Sequence, residues 1–207
     1  MAQYFEIHPD NPQKRLIQQA VQIIDRGGLV IYPTDSSYAL GCHIGDKAAM
    51  ERIQRIRRTD SKHHFTLVCS DLSEIGTYAK VGNSEYRLMR NLTPGPYTFL
   101  LKATSVVPRR LMNPKRKTIG VRVPDNSIVR AMLLELGQPI MSSTLIPPGA
   151  DVALDDAIEV RQRYEHEVDL VIDGGFCGVE PTTVISLIDD YPEVRRHGRG
   201  DVSFLGE

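Results

Sequence analysis

Apolar residues recur at two spacings along the chain, and each spacing predicts a different element. A stripe at intervals of three and four residues predicts an amphipathic helix that has Asn11 as its cap and ends at Gly27-Gly28. A short continuous apolar run, such as residues 29–32, predicts a buried strand instead. The stripe of the first helix consists of Leu16, Ile17, Ala20, Val21 and Ile24.

Strands and helices interleave along the rest of the chain. Because the last three strands follow one another without a helix, we predict a single α/β domain with a mixed sheet over residues 1–207, with its core at about residues 12–198. The other predicted strands are 39–44, 65–69, 97–102, 118–123, 139–142, 169–173, 182–188 and 192–196. The other predicted helices follow Asp46, cover 71–79 and 84–91, run from Asn126 to Gly137, and lie near 155–165.

The composition is that of an ordinary globular protein. The chain has 207 residues, 41% of them hydrophobic, and a domain of this size needs neither disulfides nor a structural metal to fold. Cys42, Cys69 and Cys177 form no redox or zinc pair, and no segment reads as a signal peptide or a membrane span. We therefore expect a cytoplasmic protein with no membrane partner and no metal held by protein side chains.

A net charge of -1 conceals a segregation of charges along the chain. Residues 1–150 contain 20 Lys and Arg against 12 Asp and Glu, whereas residues 151–193 contain 2 against 12. Within the basic part, cations cluster at residues 47–64 and 102–122. Such clusters attract phosphate-bearing ligands. A solvated face that the acidic segment neutralises would explain them as well.

Hydroxyl side chains and arginines occur together at several predicted strand ends. Hydroxyls are concentrated at residues 34–38, 142–144 and 182–183, and the arginines are Arg55, Arg57 and Arg122. Ligand sites of open α/β sheets gather at such ends, and arginines with hydroxyls suit a ligand rich in phosphate or carboxylate oxygens. The usual nucleotide loops and the hydrolase elbow are absent from the sequence. The tandem His63-His64 lacks metal-ligand spacing, so we expect it on the surface.

Seven short segments in order carry a resemblance to a known family. Over about residues 3–203 the chain resembles the YrdC/YciO family of threonylcarbamoyl-AMP synthase-like proteins, and within it the bacterial YciO branch. The segments are PTDSSYAL (33–40), RIR (55–57), TPGPYTFLLK (93–102), IGVRVP (119–124), PIMSST (139–144), PTTV (181–184) and VRRHG (194–198).

The resemblance implies both a fold and a chemistry. The fold is a twisted, open mixed β-sheet with flanking helices and a concave basic surface. In the synthase branch, ATP, threonine and bicarbonate form threonylcarbamoyl-AMP for tRNA modification, with magnesium accompanying the ATP and no tightly bound cofactor. The family is also described as binding double-stranded RNA. The expected partners are therefore ATP or an AMP-containing ligand and double-stranded RNA or tRNA, and the oligomeric state is left open.

Site residues follow from the resemblance position by position. Arg55 and Arg57 would act in catalysis and hold phosphates and bicarbonate-derived oxygens. Arg122 would face the threonine carboxylate, and Ser143 and Arg196 would contact the nucleotide. The remaining positions implied to line the substrate pocket are Thr34, Ser36, Tyr38 and Thr183.

The sequence departs from the family pattern at five positions. Arg55 stands at the motif lysine, Leu145 at the asparagine of S-x-N, Ser36 at a threonine, Ala39 at a glycine and Arg58 at a proline. A guanidinium does not replace a compact ammonium in every site, and leucine donates no hydrogen bond. We therefore expect a YciO-type protein that binds nucleotide or RNA, with weak or altered synthase chemistry.

Two further hypotheses stay open at this stage. One is a competent threonylcarbamoyl-AMP synthase in which Arg55 stands in for the lysine. The other is an RNA-binding module without catalysis that uses the basic strip Arg109, Arg110, Lys115, Arg116 and Lys117.

Overall fold

A computed structural model describes residues 1–59, 65–113, 115–189 and 191–205. The predicted surface pair His63-His64 lies outside the described residues. The strands are β1 (Gln3–Glu6), β2 (Val30–Tyr32), β3 (Ala39–His43), β4 (Thr66–Val68), β5 (Tyr97–Lys102), β6 (Thr118–Arg122), β7 (Ile140–Thr144), β8 (Leu170–Asp173), β9 (Thr183–Ser186) and β10 (Glu193–Arg196). The helices are α1 (Lys14–Asp25), α2 (Lys47–Arg57), α3 (Leu72–Tyr78), α4 (Asn83–Leu92), α5 (Ser127–Leu136) and α6 (Ala157–Tyr164).

The strands form one mixed sheet in the order β1-β8-β2-β3-β7-β4-β6-β5-β9-β10. The sheet contains both parallel pairs, such as β4 with β6, and antiparallel pairs, such as β3 with β7. The predicted single α/β domain with a mixed sheet and flanking helices is confirmed, and all the predicted strands and helices are present. The sequence reading missed β1, which has only four residues and joins the edge of the sheet beside β8.

The predicted helix starts at Asp46 and Asn126 are confirmed. The Asp46 carboxylate accepts a hydrogen bond from Ala49 N at 2.9 Å, and the Asn126 side chain accepts one from Val129 N at 3.0 Å. The prediction that Asn11 caps the first helix is wrong. Its backbone N–H instead donates to the His8 ring nitrogen at 3.2 Å in the preceding turn, so α1 begins only at Lys14.

Hydrophobic side chains pack on both faces of the sheet. One cluster includes Ile53 of α2, Ile75 of α3, Met89 of α4 and Val160 of α6. The other cluster includes side chains of α1 and α5, which pack against each other on the opposite face. Among the described residues, only these two helices cover the second face, so part of it remains open over the neighbouring strands from β3 to β9. The site described next lies there.

Candidate ligand-binding site

A cavity of about 300 Å³ lies on the open face of the sheet. Its floor is built by six neighbouring strands, β3, β7, β4, β6, β5 and β9. Side chains alternate between the two faces of a strand, so every second residue, such as Thr98 and Leu100 of β5, reaches this floor. The lining residues are Thr34, Ser37, Ala39, Arg57, Thr66, Thr98, Leu100, Arg122, Ser142, Ser143, Thr144, Ile146, Thr182, Val184 and Arg196.

Arg57 reaches the cavity from the last turn of α2. Its guanidinium donates to Ser143 Oγ at 3.1 Å and to the carbonyl oxygen of Thr144, both at the end of β7. The Nε atom of Arg57 is buried and has no hydrogen-bond acceptor among the described residues. An arginine N–H left without an acceptor in a buried site is costly. Arg57 therefore lines the cavity with one of its donors unsatisfied.

Arg122 lies at the end of β6 and is only 7% exposed. Its guanidinium forms an ion pair with the Asp35 carboxylate and donates to Ser36 Oγ at 3.3 Å. Its Nε also lacks a hydrogen-bond acceptor in the described part of the chain. Arg122 is therefore a second arginine that lines the same cavity with one donor unsatisfied.

Arg196, at the end of β10, closes the cavity beside the start of β9. Its guanidinium donates to the carbonyl oxygen of Thr182 at 2.9 Å and to Thr182 Oγ1 at 3.1 Å. The Thr182 hydroxyl also contacts Thr98 Oγ1 at 2.8 Å. These contacts join the outer strands β9 and β10 to the cavity floor.

The electrostatics of the cavity favour an anion. Burial lowers the pKa of Arg57, and burial together with the neighbouring charge of Arg122 lowers the pKa of Arg196. Both guanidinium groups are therefore held in surroundings that disfavour their positive charge. A carboxylate or phosphate in the cavity would relieve this cost, because its charge offsets the arginines and its oxygens accept their hydrogen bonds.

Most of the residues predicted for the site lie at the cavity or touch it. Thr34, Arg57, Arg122, Ser143 and Arg196 line it. Ser36 is buried beside it, where its Oγ contacts Arg122 and Thr34. The Thr34 hydroxyl shapes this turn, since it donates to the carbonyl oxygen of Ser37 at 2.7 Å.

Three predicted residues are placed elsewhere. Arg55 is exposed on α2 and does not line the cavity. Tyr38 faces the opposite side of the sheet, where it is fully buried and donates to the carbonyl oxygen of Gly175 at 2.8 Å. Thr183 is also fully buried and donates to the carbonyl oxygen of Gly200 at 2.7 Å. Its neighbour Thr182 is the threonine that reaches the cavity.

The structure places Leu145, the residue at the family asparagine position, away from the cavity. Leu145 is fully buried in the hydrophobic cluster under the opposite face of the sheet, so its side chain does not face a ligand in the cavity. Ile146, the next residue, lines the cavity. The apolar wall at this end of the site is therefore formed by Ile146.

Sequence reasoning missed several polar residues that line the cavity. Alternation along the predicted strands could have identified Thr98 and Thr66, because each has core residues as its strand neighbours. Asp35 lies in the PTDSSYAL segment, but no local pattern indicates that its partner is Arg122, 87 residues away in the sequence.

The predicted RNA-binding strip is divided between two surfaces. Arg116 lines a second cavity of about 300 Å³ on the open face, together with Arg195. Arg109 and Lys117 line a different cavity beside Val107 and Met112. The remaining strip residues, Arg110 and Lys115, are exposed.

No group of three or more His, Cys, Asp or Glu side chains in the described ranges is arranged to hold a metal ion. None of the helices in that part of the chain combines the length and apolar character needed to cross a bilayer.

An open mixed sheet with a cavity lined by three arginines defines an α/β protein suited to anionic ligands. The family model Sua5_yciO_yrdC, described as telomere recombination, matches residues 22–198. The chain belongs to this family.

Similar proteins fall into two groups. YciO of Escherichia coli (strain K12) is 58% identical over 98% of both chains, and its crystal structure matches with a TM-score of 0.94 over 97% of this chain and 98% of the other. The threonylcarbamoyl-AMP synthase of Nitrosococcus oceani is 30% identical over 76% of this chain and 85% of the synthase. P. abyssi Sua5 complexed with L-threonine matches with a TM-score of 0.86 and 25% identity, over 94% of this chain and 57% of Sua5.

Proposed function

We propose that this protein is a YciO-type member of the family that binds ATP or an AMP-containing ligand in the arginine-lined cavity, with weak or altered threonylcarbamoyl-AMP synthase chemistry. The observation that carries the proposal is that Arg57, Arg122 and Arg196 all line one cavity on the open face of the sheet. A ligand with several phosphate or carboxylate oxygens would pair with these guanidinium groups.

The dimensions of the open face support a ligand larger than a single amino acid. The cavity with Arg116 and Arg195 adjoins the main cavity, because Leu100 of β5 lines both. Each has a volume of about 300 Å³. A nucleotide could therefore lie across Leu100 with its phosphates among the arginines of the main cavity.

The chemistry that these side chains support is the stabilisation of charge on oxygen. Arg122 would hold a carboxylate, and Arg57 and Arg196 would hold phosphate oxygens, whose charge grows as an adenylate forms. The cavity donors are arginines and hydroxyls. The carboxylate of Asp35, which contacts them, is already paired with Arg122. The residues present do not fit a resident magnesium ion, so magnesium would arrive as part of the nucleotide substrate.

Weak or altered chemistry is proposed for two reasons. Arg55 stands at the motif lysine, but it is exposed and does not line the cavity. The RIR segment therefore contributes one cation to the lining, that of Arg57, and not two. Ile146 also adds an apolar side chain to the lining, and this side chain donates no hydrogen bond to a polar substrate.

An equilibrium binding experiment with a rate measurement tests this function. Purified protein is mixed with ATP, magnesium, threonine and bicarbonate, and bound nucleotide and released pyrophosphate are both measured. We expect nucleotide binding that weakens as salt is raised, with slow release of pyrophosphate. The absence of nucleotide binding at low salt would contradict the proposal.

A competent threonylcarbamoyl-AMP synthase is the second candidate. It is favoured by the likeness to P. abyssi Sua5 complexed with L-threonine, together with the convergence of Arg57, Arg122 and Arg196. Rapid pyrophosphate release that requires threonine and bicarbonate together, and that Arg57→Ala abolishes, would favour this candidate over the first.

Binding of double-stranded RNA or tRNA is the third candidate, and the pair Arg116 and Arg195 on the open face favours it. RNA bound across this face should lose affinity in Arg116→Ala. Arg109→Ala is the matched control, because Arg109 lines a different cavity. Equal losses in the two variants would instead indicate nonspecific attraction to the basic surface.

A further inference from the structure

Asp35 lies at the centre of the contacts that hold Arg122. Its carboxylate pairs with the Arg122 guanidinium and accepts a hydrogen bond from Asp125 N at 2.9 Å. Its backbone carbonyl accepts a hydrogen bond from the Arg199 guanidinium. The Asp35 side chain is only 10% exposed, and it is not among the residues that line the cavity.

These contacts fix Arg122 at two of its three nitrogens. Nη2 donates to Asp35, and Nη1 donates to Ser36 Oγ at 3.3 Å. The third nitrogen, Nε, is the one without an acceptor in the described ranges. Because a guanidinium is planar and rigid, holding two nitrogens also sets the direction of the third.

Asp35 also moderates the charge of the cavity. Arg57, Arg122 and Arg196 all line it, and the charge of Arg122 already disfavours that of Arg196. A buried carboxylate against Arg122 offsets one of these three charges. The arginine can therefore stay in place before a ligand arrives.

We infer that Asp35 is a positioning residue, which acts through Arg122 by holding its guanidinium in one orientation at the cavity. This inference rests on the proposed function, in which an anionic ligand binds in the cavity. The competing view is that Asp35 is a counter-ion that a ligand must displace. The two views predict opposite effects when the charge of Asp35 is removed.

A double-mutant cycle separates these views. Affinities for L-threonine and for ATP with magnesium are measured calorimetrically on the full chain for wild type, Asp35→Asn, Arg122→Ala and the double variant. Asp35→Asn keeps the size of the side chain and removes its charge. Asp71→Asn is the matched control, because Asp71 caps α3 and is exposed.

We expect Asp35→Asn to weaken binding of at least one probe by about 10-fold, since a charge-assisted contact is lost. In the Arg122→Ala background the same substitution should cost less than about 2-fold, because there is no guanidinium left to position. Asp71→Asn should leave the affinity unchanged.

Three results would overturn the inference: unchanged binding in Asp35→Asn, tighter binding, or an equal loss in the Arg122→Ala background. If wild type binds neither probe, the proposed function fails first. A crystal structure of Asp35→Asn then decides the positioning role by itself. Reorientation of the Arg122 guanidinium would support that role, and an unmoved guanidinium would refute it.

Discussion

Two arginines on α2, separated by one residue, lie in different surroundings. Arg57 lines the cavity and bonds to the end of β7, whereas Arg55 is exposed. The sequence motif RIR assigns both to one site, because a motif carries no information about which face of a helix its residues occupy. The helix α2 ends at Arg57, and the next residue, Arg58, has a backbone φ of 47°.

The left-handed backbone of Arg58 gives the first prediction. Glycine adopts this conformation without the steric cost that a Cβ adds, whereas proline is fixed near a φ of about -65°. Arg58→Gly should raise the free energy of unfolding by about 0.5–1 kcal/mol, and Arg58→Pro should lower it by about 2 kcal/mol or more. Urea denaturation of the two variants checks this. Destabilisation by Arg58→Gly would show that the arginine side chain outweighs the backbone strain.

Neighbouring threonines give the second prediction. Thr182→Val removes a hydroxyl that contacts Thr98 and Arg196 at the cavity, so it should weaken ATP binding by about 3- to 10-fold. Thr183→Val removes a buried hydroxyl that bonds to Gly200 O and accepts from Gly198 N. It should lower the free energy of unfolding by about 1–2 kcal/mol. Binding and denaturation curves measured on both variants test these two roles. A loss of ATP binding in Thr183→Val together with a loss of stability in Thr182→Val would contradict them.

Among the elements, α5 offers a test of how the local sequence sets a helix start. Asn126→Ala removes the side-chain acceptor of Val129 N, so we expect a loss of about 1 kcal/mol in the free energy of unfolding. Asn11→Ala is the matched control. Asn11 caps no helix, and its replacement should change stability by less than about 0.5 kcal/mol. Equal losses in both variants would argue against the capping role.

The elements themselves could be read from the sequence, because hydrophobic periodicity and capping residues are local signals. The strand β5 and the helix α5 follow such signals closely. Strand β1 could not be recognised, because its four residues depend on pairing with β8, about 167 positions further along the chain. The orientation of the side chains at the start of β9 could not be read from the sequence for a similar reason. Which of Thr182 and Thr183 faces the cavity depends on contacts with Gly198 and Gly200 rather than on local pattern.

At the scale of the whole molecule, buried ionisable groups predict how stability depends on pH. Burial raises the pKa of the Cys177 thiol and of the Tyr32 hydroxyl, each to about 12. In the unfolded chain these groups ionise near about pH 8.5 and 10 respectively. The contribution of these two groups to the free energy of unfolding is therefore complete below about pH 8.5. It is lost as the pH rises toward about 12.

Urea denaturation at pH 8 and pH 10 measures this dependence. The free energy of unfolding should be lower at pH 10, and Cys177→Ala should reduce the difference because one titrating thiol is gone. A free energy that stays constant or rises between the two pH values would contradict the assignment.

Family membership and the identity of the main arginines could also be read from the sequence, since the motifs occur in order. The cavity itself could not. It depends on the sheet order, which brings β6, β9 and β10 together with β7 and lets Arg122 meet Asp35 across 87 positions. Such long-range geometry leaves no local pattern.

The central claim is that a ligand's anionic groups bind among the cavity arginines. Calorimetric titration of ATP with magnesium into wild type, Arg57→Ala and Arg55→Ala tests it most directly, because the two variants remove the same charge from the same helix. The account predicts a loss of about 10- to 100-fold in affinity for Arg57→Ala and less than about 3-fold for Arg55→Ala. Equal affinities in the two variants, or a larger loss for Arg55→Ala, would contradict it.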